Sequence, residues 1–279
     1  MTSPIYPYGH FYSPIVDTDD VLKRQDSIWT SRETLDGIDL NPEKQLEILG
    51  QWFPEFVQEF DYPEDGDANQ PTGYFNLNDQ FSWLDARMLY VLLRKLRPAR
   101  VVEVGSGFSS LLVADVVCRY LGSACEFVCI EPYPRDFLTK GVAGISRLIQ
   151  QRVEDVDMAE FTRLERGDVL FIDSSHVAKT GSDVLFLFFQ VLPKLKAGVL
   201  IHVHDIFLPD DYPKQWVIEQ NRSWNEQYLL QALLMHSTRF RVLFGSAYVA
   251  TCHGQAVVAA LARPDGHGMG GGSFWIEVQ

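Results

Sequence analysis

The sequence predicts an α/β fold, a mainly parallel sheet covered on both faces by helices. Three observations carry this. First, a β-branched run, Val101, Val102 and Val104, ends at Gly105-Ser106-Gly107, and an apolar helical run, LLVADVVCRYL, opens after Ser109-Ser110. A strand buried on both faces wants branched residues, and a glycine turn lets the backbone reverse tightly and approach a ligand. Second, beyond residue 100 short strand-like runs alternate with helical ones, as in a βαβ chain. Third, 279 residues with 46% hydrophobic side chains can bury a large core.

In chain order, residues 1–80 stand apart. They carry Pro4, Pro7, Pro14, Pro42, Pro54, Pro63 and Pro71 among many aromatics, so they read as an aromatic-rich cap on a domain spanning 81–279. Asn41-Pro42-Glu43 starts a predicted helix, with Asn as N-cap and Pro at the first helical position. Leu46, Leu49, Trp52, Phe53, Phe56 and Phe60 keep helical spacing, with a kink or restart expected at Pro54. A second helix is predicted over 81–96, with Leu84, Met88, Leu92 and Leu96 on one face, stopped by Pro98. After the strand that begins at Arg100, further strands are expected at 126–130, 148–151, 169–172, 199–203, 240–244 and 274–278. Helices are expected at 110–121, 135–141, 157–164, 181–192 and 225–236. The segment GHGMGGGS reads as a flexible connection into the last strand or as a mere linker.

Composition narrows the function. A net charge of −13 argues against nucleic acid as the main partner. No apolar run is long enough to span a membrane, and the N-terminus lacks the basic and apolar regions of a secretory signal. Cys118, Cys125, Cys129 and Cys252 form no C-x-x-C and read as reduced thiols of a cytoplasmic protein. A small-molecule partner is expected; a homo-oligomer stays open.

The stretch RVVEVGSGFSS is similar to motif I of the class I S-adenosylmethionine-dependent methyltransferases. The resemblance implies a Rossmann-like, doubly wound, seven-stranded sheet whose last strand runs antiparallel beside the fifth and sixth. It implies that S-adenosylmethionine lies over Gly105, Ser106, Gly107 and Ser109, with Glu103 near the cationic methionine end, where a carboxylate suits the positive sulfonium and ammonium. Ligands of open α/β sheets bind outside the carboxyl ends of the strands, so the polar residue ending each strand matters. Glu131, in CIEPYP, can accept both ribose hydroxyls, a place also filled by acids in nicotinamide-binding proteins. The resemblance puts Asp155 near the adenine amino group, and Asp173 with Ser174, after the fourth strand, are further cofactor-binding candidates.

The fourth and fifth strand ends, FIDSSHVAKTGSDV and LIHVHDIFLPDDYP, carry the catalytic candidates His204, Asp205 and His176. Strand alternation points His202 and His204 the same way; His202 reads as a satisfied core histidine. Asp173, His204 and Asp205 at adjacent strand ends can form an N/O site for a divalent ion. This arrangement resembles that of metal-dependent O-methyltransferases of the catechol and macrocin type, which hold magnesium with an Asp after strand four and an Asp-Asp or Asp-Asn pair after strand five. A His in that pair suits other divalent ions better, so His204 reads either as a ligand or as a general base, with His176 as a second base. Two segments could cover the methyl face: His10-Phe11-Tyr12 and residues 207–216. The expected activity is methyl transfer to a hydroxyl, or secondarily an amine, of a small molecule such as a sugar or secondary metabolite. The competing classes are a nicotinamide-dependent oxidoreductase, which lacks its G-x-G-x-x-G here, and a non-catalytic adenosyl-cofactor binding module.

Overall fold

The computed structural model describes residues 3–262 and 270–279. One sheet holds β1 (Arg100–Val104), β2 (Glu126–Ile130), β3 (Arg147–Ile149), β4 (Val169–Ile172), β5 (Leu200–Val203), β6 (Phe240–Gly245) and β7 (Phe274–Val278). Their order is β3-β2-β1-β4-β5-β7-β6. β1 to β5 pair in parallel, and β7 runs antiparallel between β5 and β6. Seven strands with the last reversed is the expected architecture. Strand order reverses between β1 and β4, so their carboxyl ends open a crevice between them.

The central strands read as near-continuous apolar runs because both faces are covered. Val101, Val102, Phe171, Ile172, Ile201 and Val203 have no exposed surface. The helix Trp83–Leu96 buries every residue from Leu84 to Leu93 and leaves Leu96 half-buried. The predicted helix at 110–121 begins earlier, at Phe108, and passes at Val117 into a π-helical turn, as does the one at 181–192 after Phe186. The restart expected at Pro54 is present. A π-helical turn at Ile48–Trp52 precedes it, and helix resumes at Phe53–Phe56 with the proline in its first turn, where its missing N–H costs nothing. Asn41 is not the expected side-chain cap: it is left-handed (φ 54°), and its Nδ2 donates to Val242 O at 2.9 Å.

The proline-rich N-terminal part divides in two. Ile48, Leu49 and Phe53 are fully buried in the main core, and Phe53 stacks near Phe244. Earlier residues lie along the segment after β5. Trp29 Nε1 donates to Tyr212 O (2.8 Å), Arg32 N to Asp210 Oδ1 (2.9 Å) and Val16 N to Ser223 Oγ (3.1 Å). Five helices stand where none was expected: Thr18–Lys23 and Gln25–Ile28 in the N-terminal part, Lys214–Ile218 within the segment after β5, and Ser246–Cys252 and Gly254–Leu261 before β7. Residues 266–269 of the glycine-rich connection lie outside the described residues. At its end, Gly272 N and Ser273 N donate to the two oxygens of buried Asp85 (2.8 and 3.0 Å), and a Cβ on Gly271 would overlap that carboxylate. There the glycines allow close approach rather than merely linking. Among the described residues no helix is long and apolar enough to cross a membrane, and the cysteines are all free.

Candidate active site

The turn after β1 is fixed from below. Gly105 has φ 81°, and a Cβ there would overlap the carbonyl oxygen of Asp173. Only glycine serves, because β4's end is drawn against it by Asp173 N donating to Val104 O at 2.8 Å. Gly107 is extended, and a Cβ on it would make only ordinary contact with Gln80, so its open side faces the crevice. Glu103 has no exposed surface; it accepts from Ser109 Oγ at 2.6 Å, from Ser110 Oγ, and from Cys129 Sγ at 3.5 Å. Ser110 Oγ in turn accepts from Gly107 N at 2.9 Å. Burial pushes the Glu103 carboxyl up to about 7. The expected placement of Glu103 facing the methionine end is therefore corrected: it braces the turn from beneath, with both oxygens engaged.

Three hollows run along the strand ends. One of ≈ 420 Å³ lies over β1, β2 and β4 and is lined by Gly105, Glu131, Glu154, Asp173, Ser174 and Lys179 among others. The next, ≈ 220 Å³, shares Gly105, Glu131 and Asp173 with it and adds Ser106, Gly107 and Ser109. The third, ≈ 290 Å³, meets the second at Gln80 and is walled by Asp79, Trp83, His204, Asp205 and Trp216. Glu131 is half-buried; one oxygen accepts from Ser106 N (3.3 Å) and the other from Tyr133 N (2.8 Å). Ser106 Oγ and Ser174 Oγ are buried without a hydrogen-bond partner, one in each of the first two hollows. Such orphans call for a ligand, and a polar, glycine-floored crevice with a ribose-accepting acid fits an adenosyl cofactor. Asp155 does not join it: the short turn Val153–Asp155 buries Val153 and leaves Asp155 exposed on an outer hollow, so Glu154 occupies the expected position.

The ends of β4 and β5 bring together Asp173, His176 and Asp205. His176 Nε2 lies 3.3 Å from Asp173 Oδ1 and 3.5 Å from Asp205 Oδ2, and its Nδ1 is 2.9 Å from Glu226 Oε2. Glu226 is fully buried, and its backbone N–H and that of Asn225 donate to His176 O, so two segments fifty positions apart clasp one residue. Trp224 packs against the imidazole at 4.3 Å, tilted by 37°. His176 and Asp205 both adopt left-handed backbone (φ 60° and 56°), as does Trp83 in the neighbouring hollow (φ 55°). Non-glycine residues in that region cost ~1–3 kcal/mol each and cluster at functional sites.

Burial opposes charge on His176, but Asp173 and Glu226 overcome it and hold the imidazole well above its usual range. Burial raises Asp205, with the two histidines only partly offsetting it. Ligand atoms of Asp173, His176 and Asp205 all lie within 4.8 Å of one another, a group able to hold a metal ion. This corrects the expected set, in which His204 was the nitrogen ligand. His204 Nε2 is 3.6 Å from Asp205 Oδ1, but its ring packs beside Phe81 (5.3 Å) and His202 (5.5 Å) and lines the third hollow instead. His202 is the satisfied core histidine expected: Nε2 meets Ser273 Oγ at 2.9 Å, the ring stacks on Phe171, and burial depresses its basicity. Glu226, Trp224 and Asp85 were missed; a lone acid opening the apolar helix Glu226–Leu234 was the available signal.

The chain is similar to several known proteins. Residues 102–206 match the family model of a methyltransferase domain. A protein of Archaeoglobus fulgidus, named only as uncharacterized, is 43% identical over 169 residues, 58% of this chain and 74% of its own length. Among solved structures, the O-methyltransferase TomG from Streptomyces achromogenes, involved in tomaymycin synthesis and complexed with SAM, aligns over 94% of this chain and 95% of its own at 15% identity and a TM-score of 0.43. The O-methyltransferase from Bacillus cereus complexed with SAH aligns over 93% and 96% at 14% identity and a TM-score of 0.42. The chain belongs to the class I S-adenosylmethionine-dependent methyltransferase family. It is accordingly a methyltransferase enzyme, and the nicotinamide and non-catalytic readings fall away.

Proposed function

We propose that the protein transfers the methyl group of S-adenosylmethionine to a hydroxyl of a small molecule such as a sugar or secondary metabolite, with an amine as the second choice. The observation that carries this is the convergence of Asp173, which lines the cofactor hollows, and Asp205, which lines the acceptor hollow, on His176, together with Glu226. S-adenosylmethionine supplies an electrophilic methyl on a cationic sulfonium. Gly105, Ser106 and Gly107 bind it, Glu131 holds the ribose, and Ser174 satisfies its orphaned hydroxyl on the same ligand. The acceptor enters the third hollow, where Asp205 orients its hydroxyl, and in-line approach with water excluded does the rest.

The proton leaves toward Asp205, which His176, held as the imidazolium, orients. Three carboxylates around one imidazole make a place for positive charge, filled either by the imidazolium proton or by a divalent ion. Asp173, His176 and Asp205 would hold such an ion, which would lower the pKa of a hydroxyl beside it; one nitrogen and two oxygens suit Mn, Fe, Ni or Zn. Glu226 then fixes the tautomer that leaves Nε2 free. Exhaustive chelation followed by add-back of single ions decides: activity that vanishes and returns with one ion supports the metal centre, and full activity after chelation removes it. We also place the division between cap and catalytic domain at residue 80 and the protein in the cytoplasm, on its free thiols.

A further inference from the structure

The methionine end of S-adenosylmethionine carries a carboxylate and an ammonium. Glu103, sealed beneath the turn with both oxygens engaged, meets neither. Recognition of those charges falls to the second hollow. It shares Glu131 with the first, where Val104, Ile130 and Pro132 offer apolar surface for a base, and Gln80 with the third. Among the described residues, its wall holds two carboxylates, Glu131 and Asp173, and one basic side chain, Arg135.

The guanidinium of Arg135 makes no ion pair and no hydrogen bond among the described residues. It lies over the ring of Phe108, 5.3 Å from the centroid. Arg152, on the first hollow, is by contrast taken up by Glu154 at 2.6 Å and by Gly181 O at 3.2 Å. Glu131, four residues before Arg135, accepts from Ser106 N and Tyr133 N instead. Freedom alone would mean little for an exposed side chain; its placement gives it meaning. Pro132 and Pro134 fix the backbone on either side of Tyr133. Arg135 then caps the short helix Asp136–Thr139, its carbonyl accepting from Leu138 N at 2.9 Å. Phe137, buried, packs beside Phe108 at 6.1 Å. The chain beneath the arginine is therefore pinned.

Phe108 supplies the second, independent feature. It is the first residue of the helix Phe108–Val116, whose N-cap is Gly107, a residue with no side chain to satisfy the first amides. The positive end of that helix opens on the floor of the same hollow. A pinned guanidinium beside an uncapped helix start makes a place for a carboxylate, because the planar fork offers paired donors and the amides add to its field.

We propose that Arg135 binds the carboxylate of the cofactor's methionine end, beside the N-terminus of the helix Phe108–Val116. This rests on the reading above that the crevice takes S-adenosylmethionine. The cofactor's two ends are then read by residues four positions apart on one loop, Glu131 for the ribose and Arg135 for the carboxylate.

The test compares three ligands of the full chain by calorimetry: S-adenosylhomocysteine; its decarboxylated counterpart, which keeps the ammonium; and methylthioadenosine, which lacks both charges. The wild type should bind S-adenosylhomocysteine at least tenfold more tightly than the decarboxylated ligand. Arg135→Met, which keeps an unbranched side chain over Phe108, should weaken S-adenosylhomocysteine by about 10- to 100-fold, the scale of hydrogen bonds to a charged group. It should not weaken the decarboxylated ligand, and methylthioadenosine should stay within twofold. Arg135→Lys, with a point charge in place of the fork, should fall between. A preference for the carboxylate that survives in Arg135→Met, or equal weakening of S-adenosylhomocysteine and methylthioadenosine, would overturn the proposal and leave the cofactor reading standing. A wild type that binds none of the three would remove the cofactor reading and this proposal together.

Discussion

The two halves of the crevice are built by opposite means. On the cofactor side, consecutive backbone positions do the work: a strand, Gly105-Ser106-Gly107, a helix start, and Glu103 underneath to tie them. On the proposed acceptor side, at the ends of β4 and β5 and around the third hollow, single side chains arrive from 79, 83, 173, 176, 205 and 226, and three of them sit on left-handed backbone. A local site is stiff because its parts are covalent neighbours. A dispersed site needs strained backbone and buried clasps to hold its geometry. Damage should therefore separate: acceptor-side changes should affect turnover alone, and cofactor-side changes should affect affinity or stability.

The largest effect expected is at His176. His176→Ala removes the imidazolium at which three carboxylates converge and leaves Asp205 unoriented, so turnover should fall by ~10²–10⁴-fold, the range for disabling a general base. Affinity for S-adenosylmethionine should stay within twofold of wild type, about the error of calorimetry. A matching loss of cofactor affinity would show that the two halves are not independent.

Glu103 tests the other half through stability. Its carboxyl is raised to about 7 from an ordinary value of 4.5. The fold thus favours the protonated form. That stabilisation is complete below pH 4.5 and is lost as pH rises through 7. The loss amounts to at most about 3 kcal/mol. Glu103→Gln should flatten the fall in denaturation midpoint between acid and mildly alkaline pH. A slope unchanged in the variant would assign it to another group.

At Glu131 the expected change is ~1–3 kcal/mol, the scale of leaving polar partners unpaired. Glu131→Ala should weaken S-adenosylmethionine by that amount in calorimetry, with turnover at saturating cofactor preserved. Unchanged affinity would take the ribose away from this carboxylate.

The same contrast governs what sequence reading reaches. The cofactor turn is legible because its parts are adjacent. Asp173 and Asp205 are legible because each closes an apolar strand. Nothing local pairs His176 with Glu226, fifty residues away, nor marks His176 as left-handed. His204 misleads for a physical reason: alternation puts it on the side of His202, and that side is the aromatic packing of Phe81, Phe171 and Trp275. Asp155 misleads because a three-residue turn exchanges its place with Glu154. The helices after β6 went unread because their small-residue runs lack a strong period.

The smallest effect belongs to the extreme N-terminus, the segment whose aromatics suggested a cover for the methyl face. Tyr6, His10, Phe11 and Tyr12 stack on one another, with Tyr6 and His10 at 4.7 Å and His10 and Phe11 at 4.4 Å. Ile5, Tyr8, Phe11 and Tyr12 are largely exposed, and none of them lines the acceptor hollow. The tie to the segment after β5 begins only at Val16, whose N–H donates to Ser223. Deleting residues 1–15 therefore removes little buried area and no wall of either hollow. Denaturation midpoint and cofactor affinity should not change. Any effect should fall on acceptors large enough to extend past Trp216, as a rise of about twofold to fivefold in KM with kcat preserved, the signature of lost uniform binding. A large fall in kcat on a small acceptor would mean that this segment closes over the methyl face during turnover, and the acceptor half would then have one more distant contributor.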